Sequence, residues 1–159
     1  MPQEAQRLLR TPVGVLRVTA SDEGVTAIER VSRASAAPRA KTSARATRHV
    51  DAAVRQLREY FAGTRRNFTV PLHLAGTPFQ QRAWLEMQKI PYGSTISYAQ
   101  QAARMKKPRA VRAVGSANGA NPIPIIVPCH RVVASNGGLG GYALGLAMKR
   151  RLLAIERAD

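Results

Sequence analysis

The sequence predicts an α+β protein of two lobes, a small N-terminal antiparallel sheet lobe followed by a mainly helical C-terminal lobe. Three observations carry this expectation. The first thirty residues read as short β-branched runs between tight turns. From Arg48 onward the apolar spacing changes to that of helices. Past the middle, two short Ala-rich stretches are joined by the basic link "KKP", the pattern of a helix-turn-helix. The boundary is expected near residue 75, with a sheet lobe carrying one helix over 1–75 and the helical lobe over 76–159.

The elements follow in order. "RLLRTPVG" and "VLRVTAS" flank a turn at Pro12–Gly14, and Asp22–Gly24 turns the chain into "VTAIERV", giving a three-stranded meander. Ser32–Thr47 has little apolar content and no period, so an exposed, partly mobile loop is expected there. Val50, Ala53, Val54, Leu57, Tyr60 and Phe61 then share a helical face that Gly63 ends. Asn67–Leu74 reads as a further strand, interrupted by Pro71. A helix follows with Thr77 as N-cap, Pro78 at its first position, an apolar side of Phe79, Trp84, Met87 and Ile90, and Pro91 as its stop. The helix pair comes next. Ser97–Met105 has Ala99, Ala102 and Ala103 as its expected inner face, and Arg109–Gly119 follows with Arg109 and Arg112 near its start. Asn121 to Val133 is expected to be extended, Ser135–Gly141 to loop, and Leu144–Arg157 to close the chain as a helix.

The net charge of +16 is the strongest compositional feature. Between Glu86 and Glu156 there is no Asp or Glu, while ten Lys and Arg residues fall in that interval. Such a stretch makes a positive face whatever the fold, and polyanions are attracted to it. No basic amphipathic helix with aromatic anchors points to a membrane surface, and no run of eighteen apolar residues could span one. The opening residues lack the apolar centre of a secretory signal, and a lone cysteine suits a reducing compartment, so a cytoplasmic location is expected. Nucleic acid is the favoured partner.

Cys129, the only cysteine, sits in "NPIPIIVPCHRVV". Three uses compete. A zinc site fails on ligand count, and His49 and His73 stand isolated in a helix and a strand. A buried structural thiol and a nucleophile both stay open. A thiol with an ordinary pKa of roughly 8.5 needs a base or a positive charge to become reactive. His130 is adjacent, although extended backbone would point it away from the sulfur, leaving a turn after Pro128 or a bridging water as the route.

Several motifs together resemble the O6-alkylguanine-DNA alkyltransferases, suicide DNA-repair methyltransferases. They are "GTPFQQRAW", "IPYGSTISY", "PRAVRAVGSANGANP", "NPIPIIVPCHRVV" and "GGLGGYALGLAMKRRLLAIE", in order and at matching spacing over about residues 76–156. The match over "TPVGVLRVTASDEGVTAIE" is looser. The resemblance implies a ribonuclease-like sheet lobe and a winged-helix-like DNA-binding element. It implies irreversible transfer of the alkyl group of O6-alkylguanine, and of O4-alkylthymine, to Cys129. His130 would act as base through a water, Glu156 would orient His130, Tyr98 would donate to guanine N3, and Lys149 would support the leaving base. The second helix of the pair would enter the minor groove of double-stranded DNA with Arg112 filling the space of the flipped nucleotide. Arg109, Ala110, Ala113, Gly115, Ser116 and Ala117 would lie at that surface. Asn121 would be a hinge. Pro128, Arg131, Val132, Tyr142 and Ala143 would shape the pocket. No metal and no cofactor are implied, the N-terminal lobe lacking the cysteines of a zinc site. A monomer with room for cooperative assembly on DNA is expected. Two other readings use the same residues. A non-catalytic recognition protein for alkylated DNA would not need Cys129, and a cysteine hydrolase would need an oxyanion hole for which no motif is visible.

Overall fold

Ser43 starts the first helix. Its side chain accepts from Ala46 N–H, and α1 runs Ala44–Phe61. The computed structural model describes residues 3–32 and 42–157. Helix therefore begins within the expected loop, four residues before Arg48, because Ser43 supplies a cap that apolar periodicity does not register. The rest of that loop, 33–41, lies outside the described residues. At the other end, Gly63 N–H bonds Tyr60 O and Thr64 N–H bonds Glu59 O, a Schellman closure that needs the positive φ of 81° at Gly63.

The chain divides into two compact units, Met1–Ala75 and Gly76–Asp159. In the first, β1 (Ala5–Thr11), β2 (Gly14–Ser21) and β3 (Gly24–Val31) form an antiparallel sheet in that order. Leu16, Val18 and Ala20 alternate along β2 with no exposure, and α1 covers them with Val50, Ala53, Leu57 and Tyr60. Asn67–Leu74 is not a strand. It makes a single bridge, Leu72 to Val25, flanked by Val25 N–H to Pro71 O and His73 N–H to Val25 O. Pro71 has no N–H with which to extend a ladder.

In the second unit Thr77 closes a capping box with Gln80 ahead of α2 (Pro78–Gln88), and Ser97 does the same with Gln100 ahead of α3 (Tyr98–Arg104). After α4 (Val111–Gly119) the chain makes tight turns, pairs β5 (Val132–Val133) in parallel with β4 (Ile96–Ser97), and ends in α5 (Leu146–Arg157). Three details depart from the sequence reading. Ala99 and Ala103 are exposed, and Gln101, Ala102 and Met105 face inward instead. Arg109 precedes α4, with Ala110 at its N-cap position. The last helix begins two residues later than expected, at Leu146. Ala83, Ala102, Met105, Val114 and Ala117 form the apolar centre where α2, α3 and α4 meet, with Phe79 and Tyr98 packed on it. Among the described residues no helix is long and apolar enough to cross a membrane.

Candidate active site

Pro128 sets the backbone around the thiol. Its φ of −83° and ψ of 66°, with Cys129 N–H donating to Val127 O at 2.8 Å, make an inverse γ-turn. Cys129–Arg131 then form one turn of 3-10 helix, closed by Arg131 N–H to Pro128 O at 2.9 Å. The expected extended backbone is absent here. Extended chain sends neighbours to opposite sides, whereas this turn sends successive side chains about 120° apart. Upstream, Asn121 ties the preceding loop shut, accepting from Ile123 N–H at 2.9 Å and donating to Val127 O at 2.8 Å. Within that loop Ile125 is buried at a φ of 76°, a conformation costing a β-branched residue on the order of 1–3 kcal/mol.

His130 and Arg131 both reach Glu156 on α5. His130 Nε2 lies 2.6 Å from Glu156 Oε2, and Arg131 donates from Nε to Oε1 at 2.8 Å and from Nη2 to Oε2 at 3.1 Å. Arg131 Nη1 also donates to Ile90 O at 2.7 Å, and Gly93 N–H reaches Glu156 Oε1 at 3.3 Å. All three side chains are buried. Burial, joined by the Arg131 and Lys149 cations, lowers the His130 pKa against the opposing pull of the Glu156 carboxylate, so the imidazole is neutral near pH 7. A carboxylate only accepts, so Nε2 carries the proton and Nδ1 presents a lone pair. That Nδ1 is buried with no hydrogen-bond partner among the described residues.

Burial also raises the Cys129 thiol, opposed by smaller effects of the Asn121 side chain, the Lys149 ammonium and the Tyr142 hydroxyl. The resting sulfur is therefore a thiol that needs a base. Lys149 is wholly buried and donates to Val132 O at 2.7 Å and Gly141 O at 2.9 Å, and burial brings its pKa down to about 8. Tyr98, half-buried at the start of α3, donates its hydroxyl to the same Gly141 carbonyl at 3.3 Å, and burial raises its pKa. The loop can come this close only at glycine. Gly140 has a φ of 74°, and a Cβ there would lie 2.6 Å from the Tyr98 ring.

A cleft of about 600 Å³ is lined by Cys129, Tyr98, Tyr142 and Ala143 together with Arg112, Gly115 and Ser116 of α4. The structure thus brings most of the sequence-derived candidates to one place, with exceptions. Ala117 is buried, its carbonyl accepting from Trp84 Nε1 at 2.8 Å, because α4 turns that side toward α2. Ala113 is exposed and outside the cleft lining, and Arg109 and Ala110 line a separate groove with Lys106, Lys107 and Pro108. Sequence reading missed Gly93, Gly141, Gln101 and Asn118. The first two act through backbone atoms, which leave no residue-type signal. Gln101 was legible as a polar residue on the inward side of a short helix. Among the described residues no group of three or more His, Cys, Asp or Glu could hold a metal ion.

Both units of the chain are similar to known proteins. Residues 6–74 match the family model of the 6-O-methylguanine DNA methyltransferase ribonuclease-like domain, and residues 78–158 that of the DNA binding domain. The constitutive methylated-DNA–protein-cysteine methyltransferase of Bacillus subtilis is 50% identical over 117 residues, 73% of this chain and 71% of that one. The methylated-DNA–protein-cysteine methyltransferase of Mycolicibacterium paratuberculosis is 43% identical over 151 residues, 95% of this chain and 91% of its own. The crystal structure of the Mycobacterium tuberculosis O6-methylguanine methyltransferase superposes with a TM-score of 0.82 at 40% identity, covering 98% of this chain and 93% of that one. The Mycobacterium tuberculosis OGT in complex with DNA gives 0.83 at 40% identity, with coverages of 96% and 92%. The fold, both matched domains and these relatives have one meaning: the chain belongs to the 6-O-methylguanine DNA methyltransferase family.

Proposed function

We propose that the protein repairs DNA by taking the alkyl group of an O6-alkylguanine, and of O4-alkylthymine, onto Cys129, once per molecule. The observation that carries this reading is the neutral His130, held through Nε2 by Glu156, with its buried Nδ1 lone pair on the residue next to a thiol that lines a cleft. A water hydrogen-bonded to Nδ1 would pass the thiol proton to the imidazole. The thiolate then attacks the alkyl carbon. A sulfur–carbon bond forms as the carbon–O6 bond breaks, and the electron pair moves into the purine. The Tyr98 hydroxyl donates to N3 as charge gathers there, and the Lys149 ammonium stabilises the same charge. The proton removed from sulfur ends on the released base. Nothing in the site reverses a thioether, so the protein is consumed.

The reacting carbon is shielded in a stacked duplex, so the nucleotide must swing out into the cleft. Arg112, exposed on the second residue of α4, would fill the space it leaves. Gly115 and Ser116 keep the outer face of α4 low, as close approach to the walls of a minor groove requires. A Cβ on Gly115 would meet nothing within 4 Å, so no internal contact demands that glycine. The Mycobacterium tuberculosis relative solved in complex with DNA supports DNA as the partner. Asn121 holds the turn between α4 and Cys129, Pro128 and Arg131 shape the 3-10 turn and its anchor, and Val132, Tyr142 and Ala143 frame the base. A monomer in the cytoplasm fits this role, with cooperative assembly on DNA an open extension of it.

Cys129→Ala separates transfer from binding. The variant is expected to take no label from a duplex carrying one alkyl-labelled guanine while its affinity for that duplex stays within about threefold, because phosphate contacts dominate affinity. Loss of binding along with transfer would make the cysteine structural. Retained transfer would move the acceptor elsewhere.

A further inference from the structure

Gln101 and Asn118 form a polar pair inside an apolar helix junction. Gln101 has no exposure and Asn118 6%. Gln101 Nε2 donates to Asn118 Oδ1 at 3.0 Å, and Asn118 Nδ2 donates back to Gln101 Oε1 at 2.8 Å. Gln101 Nε2 also donates to Ala83 O on α2 at 3.1 Å. Around them lie Ala83, Ala102, Met105, Val114 and Ala117. Two apolar side chains of similar size would hold such a junction as well or better, since each buried amide pays desolvation that its bonds only offset. What a reciprocal amide pair adds is direction. It is satisfied at one register and one rotation, whereas apolar surfaces slide.

The two helices it joins carry residues that must work on a single nucleotide. Tyr98 is three residues before Gln101, on the same face of α3, and Arg112 and Gly115 precede Asn118 on α4. Trp84 Nε1 fixes the carbonyl of the neighbouring Ala117, and Asn121, three residues past Asn118, closes the turn that leads to Cys129. A slip of α4 by a fraction of a turn would move Arg112 relative to Tyr98 and the thiol, and misplacements near 1 Å cost about a hundredfold in rate. Accepting the alkyl-transfer reading above, we propose that Gln101 and Asn118 are positioning residues of the reaction. Their amide pair sets the register of α4 on α3 and so aligns the flipping residue with the site of transfer.

The test compares Gln101→Met/Asn118→Leu, which makes the pair apolar, with the exchanged pair Gln101→Asn/Asn118→Gln, which keeps it polar. Single-turnover rates are measured with an O6-methylguanine duplex and with free O6-benzylguanine base, alongside melting temperature. The apolar double variant is expected to melt near the parent temperature, because both amides leave together. Its duplex rate should fall at least about tenfold more than its free-base rate, because only the duplex substrate uses α4 to extrude the base. The exchanged pair should recover most of the duplex rate. An apolar variant with the parent ratio of duplex to free-base rate overturns the proposal. So does an exchanged pair that folds at the parent melting temperature yet shows the same selective loss as the apolar one. A parent protein that takes no alkyl group from either substrate overturns instead the reading of Cys129 on which the proposal rests.

Discussion

Burial moves the pKa of Cys129 up and that of His130 down, leaving a thiol beside a neutral base near pH 7. The pH dependence follows in sign. A base with a depressed folded pKa stays neutral as pH falls through its ordinary value of about 6.5. Transfer should therefore hold its rate as pH falls from 7 to about 6.5 and decline only below, while on the alkaline side it should fall as Lys149 loses its proton through about 8, as single-turnover kinetics would read. An acid-side decline centred above pH 7 would contradict a neutral buried imidazole. Stability carries the same signature. Below about pH 6.5 the unfolded chain binds a proton that folded His130 resists, so melting temperature should fall as pH drops through that value, and less so in His130→Gln. Glu156 has a separate vulnerability. Glu156→Leu would leave Arg131 and His130 buried without their carboxylate, a loss of about 3–5 kcal/mol measurable by denaturant titration. Glu156→Gln should lose less stability yet still slow transfer.

Some helix ends were legible because their chemistry is local, whereas the starts of α1, α4 and α5 lie two to four residues from where periodicity put them. Thr77 and Pro78 announce the start of α2, and Gly63 ends α1 where its positive φ allows. Thr77→Ala should cost about 1 kcal/mol by thermal melting. The segment around Cys129 was not legible, because its shape depends on a Pro128 γ-turn and on Asn121 bonding a carbonyl six residues away. Alternating apolar residues before it look like a strand until those bonds are known. Asn67–Leu74 misled for the same reason, since ladder partners are set by tertiary structure and not by β-propensity. The candidate side chains could be named from their motifs, yet the burial of Ala117 shows that nine residues of helix cannot all face outward. At α4, Gly115→Ala should raise stability by up to about 1 kcal/mol, since a Cβ there meets nothing and alanine is the better helix former. The same change should weaken duplex binding. Improved stability with unchanged affinity would count against close approach of DNA at this face.

For the whole molecule, a charge of +16 and an interval of chain without carboxylates between Glu86 and Glu156 make association with DNA an electrolyte effect as much as a contact effect. Affinity for undamaged duplex should fall at least about tenfold between roughly 50 and 200 mM salt, with a linear log–log dependence in fluorescence anisotropy titrations. In the proposed mechanism the lesion-specific step uses the buried Cys129, His130 and Glu156 set, which salt screens little, so the rate of transfer from the bound complex should change far less. In the proposed reaction one sulfur takes one alkyl group. Its most direct test is intact-protein mass spectrometry, with peptide mapping, after incubation with excess duplex carrying a single O6-methylguanine. The expected result is a gain of one methyl group per molecule, confined to Cys129 and rising no further with time. An unchanged mass while lesion DNA stays bound, or a methyl group mapped to any other residue, would contradict it.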